Sequence, residues 1–217
     1  MMRIGSAIRR VLALALCVLL GCGAFAGCSQ VDDIVSNVTA AGVFPVEVNG
    51  VTISSRPSRV VVLSPSLADV ILALGCETQL AGASEACTQS ALDELEKVSA
   101  DSVEAVQALQ PDLVLVDSNS SGAQSALEEA GVTVLSVEPA TDRSDFERLY
   151  SQISSALLGG EAGYDEGIAT AQDIFITLDN INRIVPKDTI TTACYLYDLD
   201  GSAVTGDMFG STIMSYA

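Results

Sequence analysis

The chain has 217 residues, with ten lysines and arginines, 28 aspartates and glutamates and no histidine, so its net charge is −18 at pH 7. This excess of acid argues against nucleic-acid binding, which needs a basic face. Without histidine, histidine-dependent catalytic triads are excluded, and no Cys-x-x-Cys pair is present to form a zinc finger or a thioredoxin-like redox motif.

The first residues have the pattern of an export leader. Three arginines precede an apolar run at residues 11–20, which is typical of a secretory signal and too short for a permanent membrane span. The leader ends at Phe25-Ala26-Gly27-Cys28, where a cysteine after small residues indicates lipid attachment. We therefore predict a lipoprotein signal peptide at residues 1–27, with acylation at Cys28. Cys22 is a second candidate, and an ordinary cleaved signal that leaves Cys28 unmodified is the alternative.

Residues 28–43 are small and polar without a sustained period, which predicts a flexible tether. Two short apolar runs follow, at residues 44–48 and 51–53, separated by Asn49-Gly50. Asn-Gly tolerates the positive φ angles of a tight turn, so this segment predicts a β-hairpin.

Residues 44–142 alternate between apolar strands and helices. The predicted strands are residues 59–63, 80–84, 113–116 and 132–137, and each is almost wholly apolar. Continuous apolar strands separated by helices are typical of a parallel sheet that is covered on both faces. The first helix is predicted to start at Ser66, with Asp69 completing a capping box, and the second at Asp101 or Ser102. The predicted fold class is α/β, with a Rossmann-like parallel-sheet lobe.

Residues 143–187 change character to helical. Ser144 with Glu147 predicts one helix start, and a second helix is predicted from about Tyr164 to Ile184. End to end, the two would span on the order of 60 Å, which predicts a rigid helical backbone linker. Two packed antiparallel helices are the alternative, since glycines separate the two segments.

Residues 188–217 contain one further apolar strand and the start of a helix near Met208. About thirty residues are too few to bury a core of their own. We expect them to be the start of a truncated C-terminal lobe, and we expect weak or absent ligand binding from a chain that stops there.

Three cysteines lie beyond the predicted lipid site. Outside the cytoplasm a Cys76–Cys87 disulfide is permitted and would contribute about 2–3 kcal/mol of stability. Two reduced thiols at these positions are the alternative. Cys194 falls in the apolar run at residues 191–196 and is predicted to be a buried thiol.

Five segments occur in an order that resembles a known family. They are Arg59-Val60-Val61-Val62-Leu63-Ser64-Pro65-Ser66, Leu72-Ala73-Leu74-Gly75, Leu80-Ala81-Gly82-Ala83-Ser84, Ser102-Val103-Glu104-Ala105-Val106 and Leu109-Gln110-Pro111-Asp112-Leu113-Val114. The series resembles periplasmic binding proteins with a helical backbone, which serve importers of cobalamin, ferric siderophores and haem. The resemblance implies two Rossmann-like lobes joined by one long helix, of which the second α/β lobe would be incomplete here.

The same resemblance implies partners and a mode of action. The ligand would be a metal chelate or a corrinoid held between the lobes, without a resident cofactor or metal. The partners would be an ABC permease and its ATPase, and the membrane would be reached through the lipid on Cys28; a monomer is expected. Glu104 would dock on an arginine pocket of the permease, although a capping box with Asp101 is an alternative role for it.

Ligands of open α/β sheets lie beyond the carboxyl ends of the strands. Eight residues near those ends are therefore predicted to bind the ligand, although caps and turns need the same residue types: Ser64, Pro65, Ser66, Ser84, Glu85, Ser118, Asn119 and Arg143. Only Arg143 supplies positive charge near this rim, which favours a neutral or weakly charged chelate such as a corrinoid. Asp198 and Asp200 resemble part of a calcium loop but lack its later acidic ligand, so no metal site is predicted.

Two other functions compete with this interpretation. A secreted α/β enzyme would need a catalytic or phosphate-binding motif, and no G-x-S-x-G, G-x-x-x-x-G-K or G-x-G-x-x-G occurs after a strand. A surface lipoprotein that sequesters its ligand without a transporter is the other possibility.

Overall fold

The computed structural model describes residues 42–118, 120–184, 194, 196, 203 and 209–215. Within them the strands are β1 (Val46–Val48), β2 (Val51–Ile53), β3 (Val60–Val62), β4 (Leu80–Ser84), β5 (Glu96–Val98), β6 (Leu113–Asp117) and β7 (Val134–Val137). The α-helices are α1 (Pro65–Ala73), α2 (Val103–Ala108), α3 (Gln124–Glu129), α4 (Arg143–Leu158), α5 (Gly160–Ile184) and α6 (Phe209–Met214).

The predicted hairpin at the start of the lobe is confirmed. β1 and β2 pair antiparallel, with Val48 opposite Val51. Asn49 and Gly50 form the turn with φ angles of 50° and 78°, the left-handed conformation that a two-residue hairpin requires.

The central sheet has five strands in the order β5-β4-β3-β6-β7, and every neighbouring pair is parallel. This confirms the α/β fold with a parallel sheet. Within this sheet, β3 comes first along the chain. β4 and β5 are added on one side of β3, and β6 and β7 on its other side. The strand order therefore reverses between β3 and β6, which is where open α/β sheets hold their ligands.

The two faces of the sheet are both covered, as the apolar strands predict. On one face, Val60 and Val62 of β3 and Leu113 and Leu115 of β6 join the core formed with α1 and α4. On the other face, the alternate strand residues Val61, Leu63, Val114 and Val116 pack with residues of α2 and α3. Helices on both faces leave the carboxyl edge of the strands open for a site.

β5 is an edge strand that the sequence did not predict. It has only three residues, of which Glu96 is exposed and Lys97 half-buried, so only Val98 carries an apolar signal. It pairs with β4 through Gly82–Ser84. Backbone pairing to an existing edge, rather than burial of side chains, defines this strand.

The helices after residue 142 contradict the predicted extended linker. α4 and α5 are joined by Gly159 and pack against each other, so the alternative of two antiparallel helices is correct. A Cβ atom built on Gly163 would lie 2.7 Å from the Ser154 carbonyl oxygen, and one on Gly167 would lie 2.5 Å from that of Tyr150. The two glycines thus permit a close backbone approach that folds the segment back on the sheet lobe.

Two predicted helix starts are also wrong. α1 has Ser64 as its N-cap residue, without a side-chain cap, and Pro65 opens the helix, so Ser66 lies inside it. Proline is favoured at a first helical position because its fixed φ suits the helix and no amide is lost. α4 is capped by Asp142, whose side chain accepts the Asp145 amide at 2.8 Å, instead of by Ser144.

The predicted cysteine states need correction. Cys76 and Cys87 are both buried free thiols, so the Cys76–Cys87 disulfide is not formed, and Cys194 is exposed instead of buried. Cys76 precedes β4 and Cys87 follows it. The Cys76 thiol instead donates to the Leu74 carbonyl at 3.6 Å.

Several predictions concern residues outside the described ones. They are the leader and Cys28, most of the tether, Asn119, the apolar run before residue 194, and Asp198 and Asp200. Among the residues that the structure does describe, none of the helices is both long enough and apolar enough to span a membrane.

Candidate functional site

The site is centred on the two strands between which the strand order reverses. Ser64 follows β3 and Asp117 ends β6, and the Ser64 hydroxyl donates to Asp117 Oδ2 at 2.5 Å. Asp117 Oδ1 accepts from both the backbone amide and the hydroxyl of Ser120, each at 3.0 Å. Ser64 is 2% exposed and Asp117 is 3% exposed, so these bonds form a fixed wall.

A polar hollow of about 280 Å³ lies on one side of this wall. It is open to solvent and is bounded by hydroxyl and carboxylate groups from the ends of β3, β4 and β6. The residues that line it are Leu63, Ser64, Pro65, Ser66, Ser84, Ala86, Ala100, Asp101, Asp117 and Ser120. Hydroxyl groups can both donate and accept hydrogen bonds, so this hollow suits the polar edge of a ligand.

An aromatic hollow of about the same volume, 280 Å³, lies on the other side. It is formed by α1, the segment after β7, α4 and the first residue of α6. Ser66 and Asp117 belong to both hollows, so the two share a wall; the other lining residues are Leu67, Asp69, Val70, Pro139, Ala140, Phe146, Leu149, Tyr150 and Phe209. The ring of Phe209 stacks on that of Phe146, with centroids 5.0 Å apart. Such a surface suits a flat apolar ligand face.

Tyr150 gives this hollow a polar group that stays protonated. Burial raises the pKa of Tyr150 to about 12, and the nearby charge of Asp69 acts in the same direction. At neutral pH the side chain is therefore a neutral phenol. It contributes apolar surface and a hydrogen-bonding hydroxyl.

Four of the predicted ligand residues meet in the polar hollow: Ser64, Pro65, Ser66 and Ser84. Glu85 and Ser118 do not line either hollow in the described part of the chain; the Glu85 amide donates to the Val98 carbonyl at 2.9 Å. Asn119 is outside the described residues. Their role in ligand binding remains a prediction.

Arg143, the predicted cation of the rim, already interacts with side chains of α4 and α5. It begins α4, lies 3.6 Å from a Glu147 oxygen and 3.4 Å from an Asp179 oxygen, and its guanidinium sits 4.6 Å from the centre of the Phe175 ring. It stabilises the contact between α4 and α5 and does not line either hollow.

The eight predicted binding residues did not include several polar and aromatic residues that line the hollows, among them Asp69, Asp101, Asp117, Phe146, Tyr150 and Phe209. The strand-end position of Asp117 was a usable signal, because it occupies the carboxyl end of a buried strand. The aromatic residues gave no such signal, since they enter the site only because α4 folds back onto the sheet.

Glu104, the predicted docking residue, is exposed in the first turn of α2. The N-cap of α2 is Ser102, whose hydroxyl accepts the Ala105 amide at 3.3 Å. Glu104 is therefore the second helical residue and does not hold the third position that a capping box with Asp101 needs. Its carboxylate therefore does not complete that capping box.

The chemistry available at the hollows is recognition by hydrogen bonds and apolar contact. The Ser64–Asp117 pair lacks the imidazole that a serine triad requires, since the chain has no histidine. In the part of the chain that the structure describes, no group of three or more cysteine, aspartate or glutamate side chains is placed to hold a metal ion.

A larger cavity, of about 440 Å³, lies elsewhere on the lobe. It is formed by β1 and its turn together with α4 and α5, and Asn49, Gln152 and Tyr164 are among its lining residues. None of the residues that line it comes from a carboxyl strand end of the parallel sheet, so we assign the candidate site to the smaller hollows where the strand order reverses.

Comparison with known proteins agrees with this geometry. Residues 60–214 match the model of the family described as periplasmic binding protein. An uncharacterised ABC transporter substrate-binding lipoprotein of Bacillus subtilis, YvrC, is 35% identical over 164 residues, which cover 70% of this chain and 49% of the relative. The chain thus spans about half the length of this curated relative.

Solved structures share the fold. A possible iron-binding periplasmic solute-binding protein from Staphylococcus epidermidis superposes with a TM-score of 0.61 at 17% identity, covering 75% of this chain and 66% of that one. The haem-binding protein BhuT superposes with a TM-score of 0.59 at 23% identity, covering 73% and 64%. A periplasmic haem-binding protein from Pseudomonas aeruginosa gives 0.53 at 25% identity, covering 58% and 46%. The chain belongs to the periplasmic binding protein family.

Proposed function

We propose that the protein is the lipid-anchored, extracytoplasmic solute-binding subunit of an ABC importer and that it carries out no chemical reaction. The observation that carries this proposal is the pair of hollows that share Ser66 and Asp117 at the point where the strand order reverses. A ligand with a polar edge and an apolar face fits them. Family membership and the transporter role in the name of YvrC support it.

The ligand class that we propose is a metal chelate, namely cobalamin, a ferric siderophore or haem. The similar solved structures include proteins described as binding haem or iron. In this chain haem would find no histidine as an axial ligand. Cobalamin or a siderophore chelate, whose metal is already coordinated, makes fewer demands on the protein.

Thermal unfolding tests this proposal. Purified protein is heated with cobalamin, a series of ferric siderophores and haem, each in excess. A ligand at one hundred times its Kd adds about 2.7 kcal/mol of stability, so a true ligand raises Tm by several degrees. If none of the three classes raises Tm, either for this chain or for a version with a complete second lobe, the proposed function is wrong.

A matched pair of variants links binding to the hollows. Ser66 and Ser125 are both exposed helical serines, but only Ser66 lines the hollows. We expect Ser66→Gln to weaken binding about tenfold, because the longer glutamine side chain would occupy space in the hollows. Ser125→Gln should leave the Kd unchanged. Equal effects from both variants would place the ligand elsewhere.

The anchor is tested separately. Cells that produce the wild type, Cys28→Ser or Cys22→Ser are fed a radiolabelled fatty acid. We expect label on the wild type and on Cys22→Ser, and neither label nor membrane retention for Cys28→Ser. Loss of label from Cys22→Ser alone would move the acylation site to Cys22.

Docking on the permease is proposed for Glu104. Since Ser102 is the cap of α2, Glu104→Gln should change the free energy of unfolding by less than about 0.5 kcal/mol, whereas Ser102→Ala should cost about 1 kcal/mol. We expect Glu104→Gln to reduce cellular uptake of the ligand while the Kd stays the same. Glu129→Gln, which removes an exposed carboxylate from α3, is the control. Unchanged uptake with Glu104→Gln would assign docking to other residues.

A further inference from the structure

The two hollows carry exposed carboxylates but no basic side chain. Asp69 of α1 lines the aromatic hollow, and Asp101, just before α2, lines the polar hollow. Both residues are exposed, and the amide of Gln89, a neutral group, donates to Asp69 at 2.9 Å. Among the residues described as lining either hollow, none is lysine or arginine.

The described basic residues lie elsewhere. Arg59 donates to the Leu109 and Gln110 carbonyls at the amino edge of the sheet, and the Lys97 ammonium donates to the Cys87 carbonyl at 2.6 Å. Arg148 pairs with Asp145 at 2.9 Å. The remaining described ones are Arg56, Arg143 and Arg183, and none of them lines a hollow.

This arrangement discriminates by charge. A ligand that enters either hollow passes a carboxylate, and like charges at short range repel where solvent screening is reduced. A ligand that presents an ammonium group or amide N–H groups gains charge-assisted hydrogen bonds instead. The electrostatic field around the protein is also negative, because the chain beyond the leader has seven basic and 28 acidic residues.

We propose that Asp69 and Asp101 are specificity-determining residues that select neutral to cationic chelates with N–H or ammonium donors and reject anionic ones. This proposal rests on the proposed function, since it defines the ligand class of the same site. It separates chelates of similar size by their charge. Hydroxamate complexes with a free amine and corrinoids with intact amides are accepted, whereas catecholate complexes and haem, which carries two propionate groups, are rejected.

Two scaffolds, each in two charge states, test the rule. The first is a linear ferric trihydroxamate with one free ammonium group, compared with its N-acetylated, neutral form. The second is cobalamin, compared with a derivative in which one side-chain amide is hydrolysed to a carboxylate. For each scaffold that binds, we expect the more positive form to have a Kd at least fivefold lower at 50 mM salt. The association rate of the ammonium form should also fall as salt is raised, because screening weakens attraction by the carboxylates.

Variants assign the effect to the two residues. The double variant Asp69→Asn and Asp101→Asn should bring the two forms of a scaffold to within twofold of each other. Asp93→Asn, which removes an exposed carboxylate that lines neither hollow, should preserve the full difference. Both substitutions are on exposed side chains, so folding should be retained, and circular dichroism checks this.

The outcomes separate this proposal from the broader function. If a scaffold binds but its two charge states bind equally, or if the double variant keeps the difference, the charge rule is wrong and the importer function stands. If the anionic form binds more tightly, the rule is reversed. If neither scaffold binds but haem does, the charge rule is wrong and the importer function stands. If haem also fails, the proposed function is overturned and the charge rule falls with it.

Discussion

Tyr150 connects the packing of the lobe to the chemistry of the aromatic hollow. Its side chain is 4% exposed and its ring lies against that of Phe146, with centroids 4.6 Å apart. Burial, together with the charge of Asp69, raises the pKa of Tyr150 to about 12 from a usual value of 10.0. The folded protein therefore holds this proton more tightly than the unfolded chain does.

A pH-dependent loss of stability follows for Tyr150. Below pH 10 the phenol is protonated in both states, and the stabilisation is fully present. Between about pH 10 and pH 12 the unfolded chain binds fewer protons than the folded protein, so the free energy of unfolding falls as pH rises. Because the ring retains some contact with solvent, we expect a loss of roughly 1–2 kcal/mol.

Tyr150→Phe is the matched variant for this measurement, because it removes the titrating hydroxyl and keeps the ring. Urea unfolding at pH 9.5 and 11.5 gives the difference between the two proteins at each pH. The wild type should lose 1–2 kcal/mol more than Tyr150→Phe over this interval. Parallel losses in the two proteins would show that other groups cause the alkaline destabilisation.

At the level of single residues, the sequence predicted which residues lie at strand ends better than it predicted their hydrogen-bond partners. Ser64 and Ser84 were expected at strand ends and do line a hollow. Ser64, however, donates its hydroxyl to Asp117, which comes from a strand 53 residues away. The disulfide prediction failed for a similar reason, since the separation of Cys76 and Cys87 depends on the strand between them and not on their spacing in sequence.

The helical pair α4–α5 is the element that brings aromatic residues to the site. Phe146 of α4 meets Phe175 of α5 edge to face, with ring centroids 5.4 Å apart. Small residues of α5, at Gly163, Gly167 and Ala171, lie on the side that faces α4 and are buried. Their spacing of four residues keeps them on one stripe of the helix.

We expect Gly167→Ala to destabilise the protein by roughly 1–3 kcal/mol, although alanine is the better helix former by about 1 kcal/mol. Its Cβ would lie 2.5 Å from the Tyr150 carbonyl oxygen and 2.6 Å from the Ser151 Cα, and both are backbone atoms that can move only with α4. The midpoint of urea unfolding measures the loss, and a weaker Kd for the ligand should accompany it.

Glu166→Ala is the control for that prediction, because it introduces alanine at the neighbouring exposed position of α5. Its effect on the free energy of unfolding should stay within about 0.5 kcal/mol. A Gly167→Ala protein that is as stable as the wild type would show that α4 and α5 can separate at no cost.

The glycines at residues 159, 160 and 163 permitted the packed alternative, but the stripe that continues through Gly167 and Ala171 was not recognised from the sequence. Helix lengths alone predicted an extended linker, since two helices can span a long distance only when they run end to end. The edge strand β5 could not be predicted in the same way. Its three residues show almost no alternation or apolar content, and they become a strand only by pairing with β4.

At the scale of the molecule, the parallel sheet was the most predictable feature. Four continuous apolar runs, each followed by a helix, specify strands that are buried on both faces, and helices cover both faces of the sheet. The strand order and the resulting switch point are consequences of how the units pack, and the location of the hollows follows from them. The aromatic hollow required the fold-back of α4, which sequence patterns left open.

Net charge is the other whole-molecule property, and it predicts a response to salt. A net charge of −18 concentrates negative potential on the folded chain and destabilises it relative to the expanded unfolded chain. Raising NaCl from 10 mM to 200 mM shortens the screening length from about 30 Å to under about 10 Å, which reduces this repulsion. We therefore expect Tm to rise over this interval and to change little beyond it.

We expect exposed acidic residues in general, and not one site, to cause this repulsion. Replacing Glu128 and Glu129 of α3 by glutamine removes two exposed charges from the side of the lobe opposite α1, so this variant should have a higher Tm than the wild type at 10 mM NaCl and a smaller rise on adding salt. Choline chloride should act like NaCl, because screening depends on ionic strength and not on the identity of the cation. A Tm that falls with salt would mean that attractive ion pairs, such as Arg148 with Asp145, outweigh the net repulsion.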